Sequence, residues 1–273
     1  MLLQGKRAFI MGVANKRSIA WGIAQAFHRE GAQLAFTYQS DRLKENLVAL
    51  LGEIGGAGNF PMFQCDVAFD EQIDAAFASV RERWASLDIL VHCLAFADRE
   101  DLGRPFSEIS RKGYALALDV SAYSLMRCTG AARPMMEAAG GGSVMTLTYN
   151  AVDRVVPSYN VMAVAKAALE CEVRYLAAEL GPKNIRVNAI SAGPLRTLAA
   201  SAVRGISGFR DAVEEVAPLR RNITQEEVGD VAVFLASDLS RAVTGNTIYA
   251  DSGFHIMGVA GMAEVAKKDR APV

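Results

Sequence analysis

The sequence predicts an α/β protein, one doubly wound domain built on a seven-stranded parallel sheet with helices on both faces. Short apolar, β-branched runs alternate with longer helical patterns along the chain, which requires crossover connections and therefore parallel strands covered on both sides. The strand runs are almost continuously apolar, as strands buried on both faces must be. No repeat, low-complexity linker or compositional break divides the 273 residues, so 1–273 reads as a single domain with one irregular insertion at 194–218.

In chain order, strands are expected at residues 7–11, 33–38, 62–66, 88–94, 143–148, 185–191 and 247–250. Helices are expected near 19–30, 41–51 and 71–85, twice between 106 and 139, then at 158–180 and 225–235. In such a sheet ligands sit at the carboxyl ends of the strands, near the point where strand order reverses. The first strand runs into Gly12-Val13-Ala14-Asn15-Lys16-Arg17-Ser18-Ile19-Ala20-Trp21-Gly22. Gly12, Ala14 and Gly22 let backbone approach a pyrophosphate, Ser18 offers a hydroxyl, and the helix from Ile19 presents its free N–H groups. The same glycines equally suit a tight turn where a helix packs on the sheet.

The second strand ends at Tyr38-Gln39, where an acid would bind ribose hydroxyls and a well-placed Arg a 2′-phosphate. Gln39 can bond a hydroxyl and brings no positive charge, which favours NADH over NADPH, while Arg42 and Lys44 keep NADPH open. At the end of the third strand Asp66 can accept from an adenine amino group and Val67 can pack on the ring. Capping the helix that follows is the rival role for Asp66.

The stretch Pro157-Ser158-Tyr159 through Lys166 opens a long helical pattern in which Ser158 is the expected cap. Seven helical residues turn about 700°, so Tyr159 and Lys166 leave one face about 10 Å apart along the axis. A phenol with a pKa near 10 works as a proton donor at neutral pH when a cation stabilises the phenolate left behind, and Lys166 can be that cation. A half-buried Tyr beside a solvated Lys is the plain alternative.

Composition excludes several other classes. With 51% hydrophobic and 22% charged residues the chain is globular, and a net charge of −1 gives no electrostatic case for nucleic acid or a membrane surface. No apolar run is long enough to span a bilayer and the N-terminus lacks the order of a signal peptide, so a cytoplasmic protein is expected. Cys65, Cys93, Cys128 and Cys171 are widely spaced and only His28, His92 and His255 are present; the expectation is reduced, buried thiols and no metal site.

The loop from Gly12, the Tyr38-Gln39 strand end, Cys65-Asp66-Val67, Leu147-Thr148-Tyr149, Tyr159-x6-Lys166 and the run Arg186-Val187-Asn188-Ala189-Ile190-Ser191-Ala192-Gly193-Pro194-Leu195-Arg196-Thr197-Leu198-Ala199-Ala200-Ser201 together resemble the enoyl-[acyl-carrier-protein] reductases of bacterial type II fatty acid synthesis. These belong to the short-chain dehydrogenase/reductase superfamily, whose fold is Rossmann-like. Most of that superfamily has Tyr-x3-Lys, and the wider spacing resembles the enoyl reductase branch.

The resemblance implies hydride transfer from NADH to C3 of a trans-2-enoyl thioester carried on acyl carrier protein, the last reductive step of the elongation cycle, in a homotetramer. It implies that Tyr159 meets the thioester carbonyl, that Lys166 binds the nicotinamide ribose, and that Tyr149 lines the substrate pocket. Leu94, Ile190, Ala192, Pro194, Leu195 and Thr197 would border the cofactor, and Ala97, Met162, Val203 and Ile206 the acyl chain. Residues 198–216 resemble a substrate-binding loop and helix, although Val203, Ile206, Phe209 and Val213 also fit a packing stripe. A core position is the rival reading of Met162. The spacing has a physical rationale: in an enoyl thioester the oxygen lies two carbons from the carbon taking hydride, so the acid must stand further from the nicotinamide.

Two positions depart from the family pattern. Cys93-Leu94-Ala95-Phe96-Ala97 stands where Ser-Ile-Gly-Phe-Ala is usual, so Ala95 should weaken planar inhibitors that stack on the oxidised cofactor. Asp119-Val120-Ser121 stands where most of the superfamily has an Asn. His255 is expected to be structural. Two other readings, a carbonyl-reducing member of the superfamily and a non-catalytic nucleotide-binding regulator, are opposed by the Tyr/Lys spacing and by retention of both residues.

Overall fold

The computed structural model describes residues 1–197 and 206–258, apart from the side chains of residues 206 and 207. The strands are β1 (Arg7–Met11), β2 (Gln33–Tyr38), β3 (Met62–Gln64), β4 (Ile89–His92), β5 (Gly142–Thr148), β6 (Ile185–Ala192) and β7 (Thr247–Ala250). They form one sheet in the order β3-β2-β1-β4-β5-β6-β7. Every pairing is parallel. The order reverses between β1 and β4, which opens the ligand crevice at their carboxyl ends.

The helices are α1 (Ile19–Arg29), α2 (Asp41–Gly52), α3 (Asp70–Arg83), α4 (Arg99–Gly103), α5 (Arg111–Leu118), α6 (Ser124–Ala138), α7 (Asn160–Leu180), α8 (Ile206–Val216) and α9 (Gln225–Ala236). Phe9 and Ile10, adjacent in β1, point into opposite cores because side chains alternate across a strand. Ile10 joins Trp21, Phe27, Leu47, Leu51 and Val228 beneath α1, α2 and α9. Phe9 joins Phe77, Val80, Leu125, Leu169 and Val173 beneath α3, α6 and α7.

Several local expectations are corrected. β3 and β4 are shorter than expected, β3 because Asp66 turns the chain out of the sheet: its Oδ1 accepts the N–H of Ala68 at 3.1 Å. Ser158 does not cap α7. It holds a left-handed φ of 64°, and Tyr159 takes the cap position with no side-chain capping bond. Gly22 serves helix packing rather than phosphate approach: a Cβ there would lie 2.6 Å from the carbonyl oxygen of Gln225, and one on Gly229 2.8 Å from that of Gly22. The backbones of α1 and α9 therefore touch, which only glycine permits. The short α4 was not expected, and the helices between 106 and 139 are joined by a π-helical turn, Asp119–Tyr123.

Cys65 and Cys128 are buried and Cys93 partly so, but Cys171 is exposed on the outward face of α7, against the expectation of buried thiols throughout. Among the described residues no group of His, Cys, Asp and Glu could hold a metal ion, and no helix is long and apolar enough to cross a membrane.

Candidate active site

The crevice begins at Gly12, where β1 ends. Its φ is 99° and a Cβ would stand 2.1 Å from the carbonyl oxygen of Cys93, so the turn at the switch point accepts glycine alone. The loop beyond it is held by Ser18, whose Oγ accepts the N–H groups of Ala14 at 3.0 Å and Asn15 at 3.1 Å. Asn46 donates to the carbonyl of Ala14 at 3.1 Å and Gln225 to that of Ser18 at 2.9 Å. This leaves the first turn of α1, from Ile19, with its orphan N–H groups at the mouth of the crevice, where a pyrophosphate is bound best. The cradle fits a dinucleotide.

On the neighbouring strand ends, Gln39 Nε2 donates to Asp66 Oδ2 at 2.9 Å. The backbone N–H of Asp66 donates to Gln72 Oε1 at 2.9 Å. The helix-capping reading of Asp66 is corrected: Phe69 is at the cap of α3 and no side chain caps it. Gln39 and Asp66 form one polar edge, and Val67 is buried beside it. Lys44 lies over the Tyr38 ring, 5.3 Å from its centroid.

Tyr149 follows the end of β5, and Lys166 reaches the same strand. Lys166, 5% exposed, donates from Nζ to the carbonyl of Leu147 at 2.7 Å. Burial lowers its pKa from 10.5 to about 8, against the opposing influence of Cys93 and Glu170. The rings of Tyr149 and Tyr159 lie 5.0 Å apart at 53°. Burial raises both phenols well above their ordinary pKa, so both are protonated donors at neutral pH. The Tyr149 hydroxyl is buried with no hydrogen-bond partner among the described residues. A buried orphan donor of this kind is completed by a ligand oxygen.

The floor and walls of the pocket follow. Met162 is buried with Leu102, Ala117, Val161 and Ala165, and Ala97 and Tyr159 pack on this cluster. Met162 is thus mainly a core residue bordering the pocket. Ser121, in the π-helical turn, accepts the N–H of Phe96 at 2.9 Å and donates to its carbonyl at 3.2 Å, fixing the loop that carries the exposed Ala95 and the half-buried Leu94 and Ala97.

Beneath it, His92 is fully buried between Thr146 Oγ1 at 3.1 Å and Ser124 Oγ at 2.8 Å, and burial followed by the Lys166 charge lowers its pKa to about 3. It is a neutral structural ring. Thr148 donates to Glu170 at 2.6 Å, and burial raises that carboxyl.

Ile190, Ala192 and Leu195 have their side chains in the core against Val13 and Trp21, so any contact they make to a cofactor runs through the main chain. Pro194 is buried, and its carbonyl accepts from Arg210 Nε at 3.2 Å, tying α8 to the end of β6. Thr197 donates its N–H to the carbonyl of Leu195 at 2.9 Å. Val203 and the side chain of Ile206 lie outside the described residues. His255 is structural: Nδ1 lies 3.0 Å from the Asp251 carboxylate and its ring stacks on Tyr249 with centroids 3.8 Å apart.

Sequence reading missed Ser121, Gln225 and Asn160, whose partners lie 25 to 207 residues away. The position of Asn160 beside Tyr159, and that of Ser121 in the stretch where most of the superfamily has an Asn, were the signals available.

The family model described as enoyl-(acyl carrier protein) reductase matches residues 12–255. A relative from Nostoc sp., an NADH-dependent enoyl-[acyl-carrier-protein] reductase, is 54% identical over 94% of this chain and 99% of its own length. The crystal structure of the Bacillus cereus enoyl-acyl carrier protein reductase, with NADP+ and indole naphthyridinone, superposes with a TM-score of 0.91 at 50% identity over 94% of this chain and 99% of that one. That of the Aquifex aeolicus reductase, named for NADH, gives 0.90 at 47% identity over 95% and 100%.

Proposed function

Because the chain belongs to the enoyl-(acyl carrier protein) reductase family, we propose that Tyr159, Lys166 and Tyr149 are the groups through which it acts. The protein is an NADH-dependent oxidoreductase of fatty acid synthesis that reduces the C2–C3 double bond of enoyl thioesters carried on acyl carrier protein. Bound NADH supplies the hydride that C3 receives.

The Tyr159 hydroxyl donates to the thioester carbonyl oxygen as negative charge grows there, the interaction that stabilises an enolate most. Lys166 holds the ribose hydroxyls of the nicotinamide half and keeps a positive charge near the phenol. Tyr149, its hydroxyl unpartnered at the same end of the sheet, closes the pocket around the acyl group. Gly12, Ser18 and Ile19 cradle the pyrophosphate. Gln39, Asp66 and Val67 take the adenosine, and the main chain at Leu94, Ile190, Ala192, Pro194, Leu195 and Thr197 borders the nicotinamide. Ala97 and Met162 line the acyl side, with Val203 and Ile206 on the segment beyond. The observation that carries this reading is a buried Lys166 that reaches the carbonyl of Leu147 near the end of β5, with Tyr149 directly after that strand and its ring packed on that of Tyr159, centroids 5.0 Å apart.

The working form in this reading is a cytoplasmic homotetramer. Met126 on α6, 44% exposed, and Tyr175 on α7, 76% exposed, are side chains that this reading would place at subunit contacts.

The test follows NADH oxidation with crotonyl and longer trans-2-enoyl thioesters beside acetoacetyl thioesters. Turnover of the enoyl compounds alone is expected, and preferential reduction of the ketone would overturn the assignment. In the same assay an Ala95→Gly variant is expected to be inhibited more strongly by planar compounds that stack on the oxidised cofactor; equal inhibition of the two proteins would remove Ala95 as a specificity element.

A further inference from the structure

Tyr159 stands between two residues in left-handed backbone conformations, Ser158 at φ 64° and Asn160 at φ 39°. Non-glycine residues adopt this region rarely, and such strain persists only where surrounding contacts enforce it. The Asn160 side chain is itself held by contacts outside α7. Its Nδ2 donates to the carbonyls of Arg104 at 2.7 Å and Leu102 at 3.1 Å, with that of Asp101 at 3.4 Å. These are carbonyls at the end of α4, which have no partner within so short a helix. Leu102 packs in the same apolar cluster as Met162, Val161 and the Tyr159 ring. One amide therefore binds the segment on one side of the phenol while its own backbone sets where α7 begins.

From this geometry we infer that Asn160 is a positioning residue: by clamping the end of α4 it holds the first turn of α7 in the strained form that aims the Tyr159 hydroxyl into the pocket. The inference rests on Tyr159 being the donor to the substrate oxygen. A hydroxyl displaced by about 1 Å by a change outside the chemistry can cost about 100-fold in rate. Losing the clamp should thus slow turnover and spare the binding of NADH, whose adenosine and pyrophosphate sites lie on other strands.

The experiment uses the full chain with crotonyl thioester and NADH, and compares Asn160→Gly, Asn160→Asp and Asn160→Ala, alone and combined with Tyr159→Phe. Glycine adopts positive φ freely and aspartate tolerates it, yet neither can donate to the three carbonyls. Both are expected to lower kcat by about tenfold or more while NADH affinity changes less than about twofold, and in the Tyr159→Phe background neither should lower kcat by more than about twofold further, because residues acting through one group are not additive. If Asn160→Gly does not fold, Asn160→Asp carries the same comparison.

Wild-type kcat in the glycine or aspartate variant, with Tyr159→Phe slow, would overturn the inference. A defect confined to Asn160→Ala would also overturn it, by assigning the residue to backbone conformation alone. An equal loss with and without the Tyr159 hydroxyl would overturn it as well. Full turnover by Tyr159→Phe itself would instead overturn the reading on which the inference rests.

Discussion

Tyr159→Phe is expected to lower kcat with an enoyl thioester by about 10- to 100-fold and to leave NADH affinity and thermal stability nearly unchanged. A hydrogen bond to a charged group contributes about 1.5–3 kcal/mol, and each 1.4 kcal/mol is about a factor of ten in rate. The hydroxyl is available for that bond: among the described residues nothing hydrogen-bonds it, and burial keeps it protonated. Phenylalanine keeps the ring that packs against Tyr149 at 5.0 Å and against the Leu102 and Met162 cluster, so the fold loses no apolar contact. Steady-state kinetics with the cofactor saturating, beside a fluorescence titration of NADH, separate the two effects. Full turnover by the phenylalanine variant would remove Tyr159 from the mechanism.

Lys166→Met is expected to lower kcat/KM by about 100-fold or more and, in the cofactor-free protein, to abolish a pH dependence of stability. The first effect follows, on the proposed roles, from losing both the ribose contact and the positive charge that supports the phenol, two charge-assisted interactions at once. The second follows from linkage. Burial gives Lys166 a pKa of about 8 in the folded chain, against 10.5 when exposed. Between these values the unfolded chain binds more protons, so wild-type stability rises with pH from about 8 to about 10.5 and loses that increment as pH falls back through 8.

A drop of this size corresponds to roughly 3 kcal/mol, with Lys166 only 5% exposed and little screened by solvent. Methionine has nearly the same length and no charge to desolvate, although it removes the bond to the carbonyl of Leu147. Urea unfolding of both proteins at pH 7.5 and 10.5, without cofactor, measures the difference. Parallel stability curves would mean that the Lys166 ammonium is solvated and the buried-cation account is wrong.

The order of elements was legible because each rests on a local pattern. Strands buried on both faces must be unbroken apolar runs, and β1, β2 and β7 fell on the expected residues. Tyr159 and Lys166 stood out by their spacing, but Tyr159 precedes α7 and Asn160 beside it holds φ 39°, so helical geometry alone does not fix how the two side chains lie. Errors arose where a residue's partner is distant in sequence. Gly22 suited phosphate approach and close packing of a helix equally, and α9, about 200 residues on, decides for packing. Capping was the rival role for Asp66, and it fell away because Phe69 takes the cap of α3 while Gln39 from the neighbouring strand end bonds the Asp66 carboxylate. Ser158 has the composition of a cap, and the clamp of Asn160 on α4 accompanies a backbone that prevents it.

Periodicity, strand composition and helical spacing, all properties of neighbours along the chain, were enough to establish a parallel doubly wound sheet and to single out the phenol and amine of α7. The burial that shifts Lys166, the pairing of its phenols, the orphaned Tyr149 hydroxyl and the strained turn at Tyr159 arose only once distant segments met. Dielectric environment and hydrogen-bond satisfaction depend on what surrounds a group in space, and that is set by packing rather than by sequence proximity.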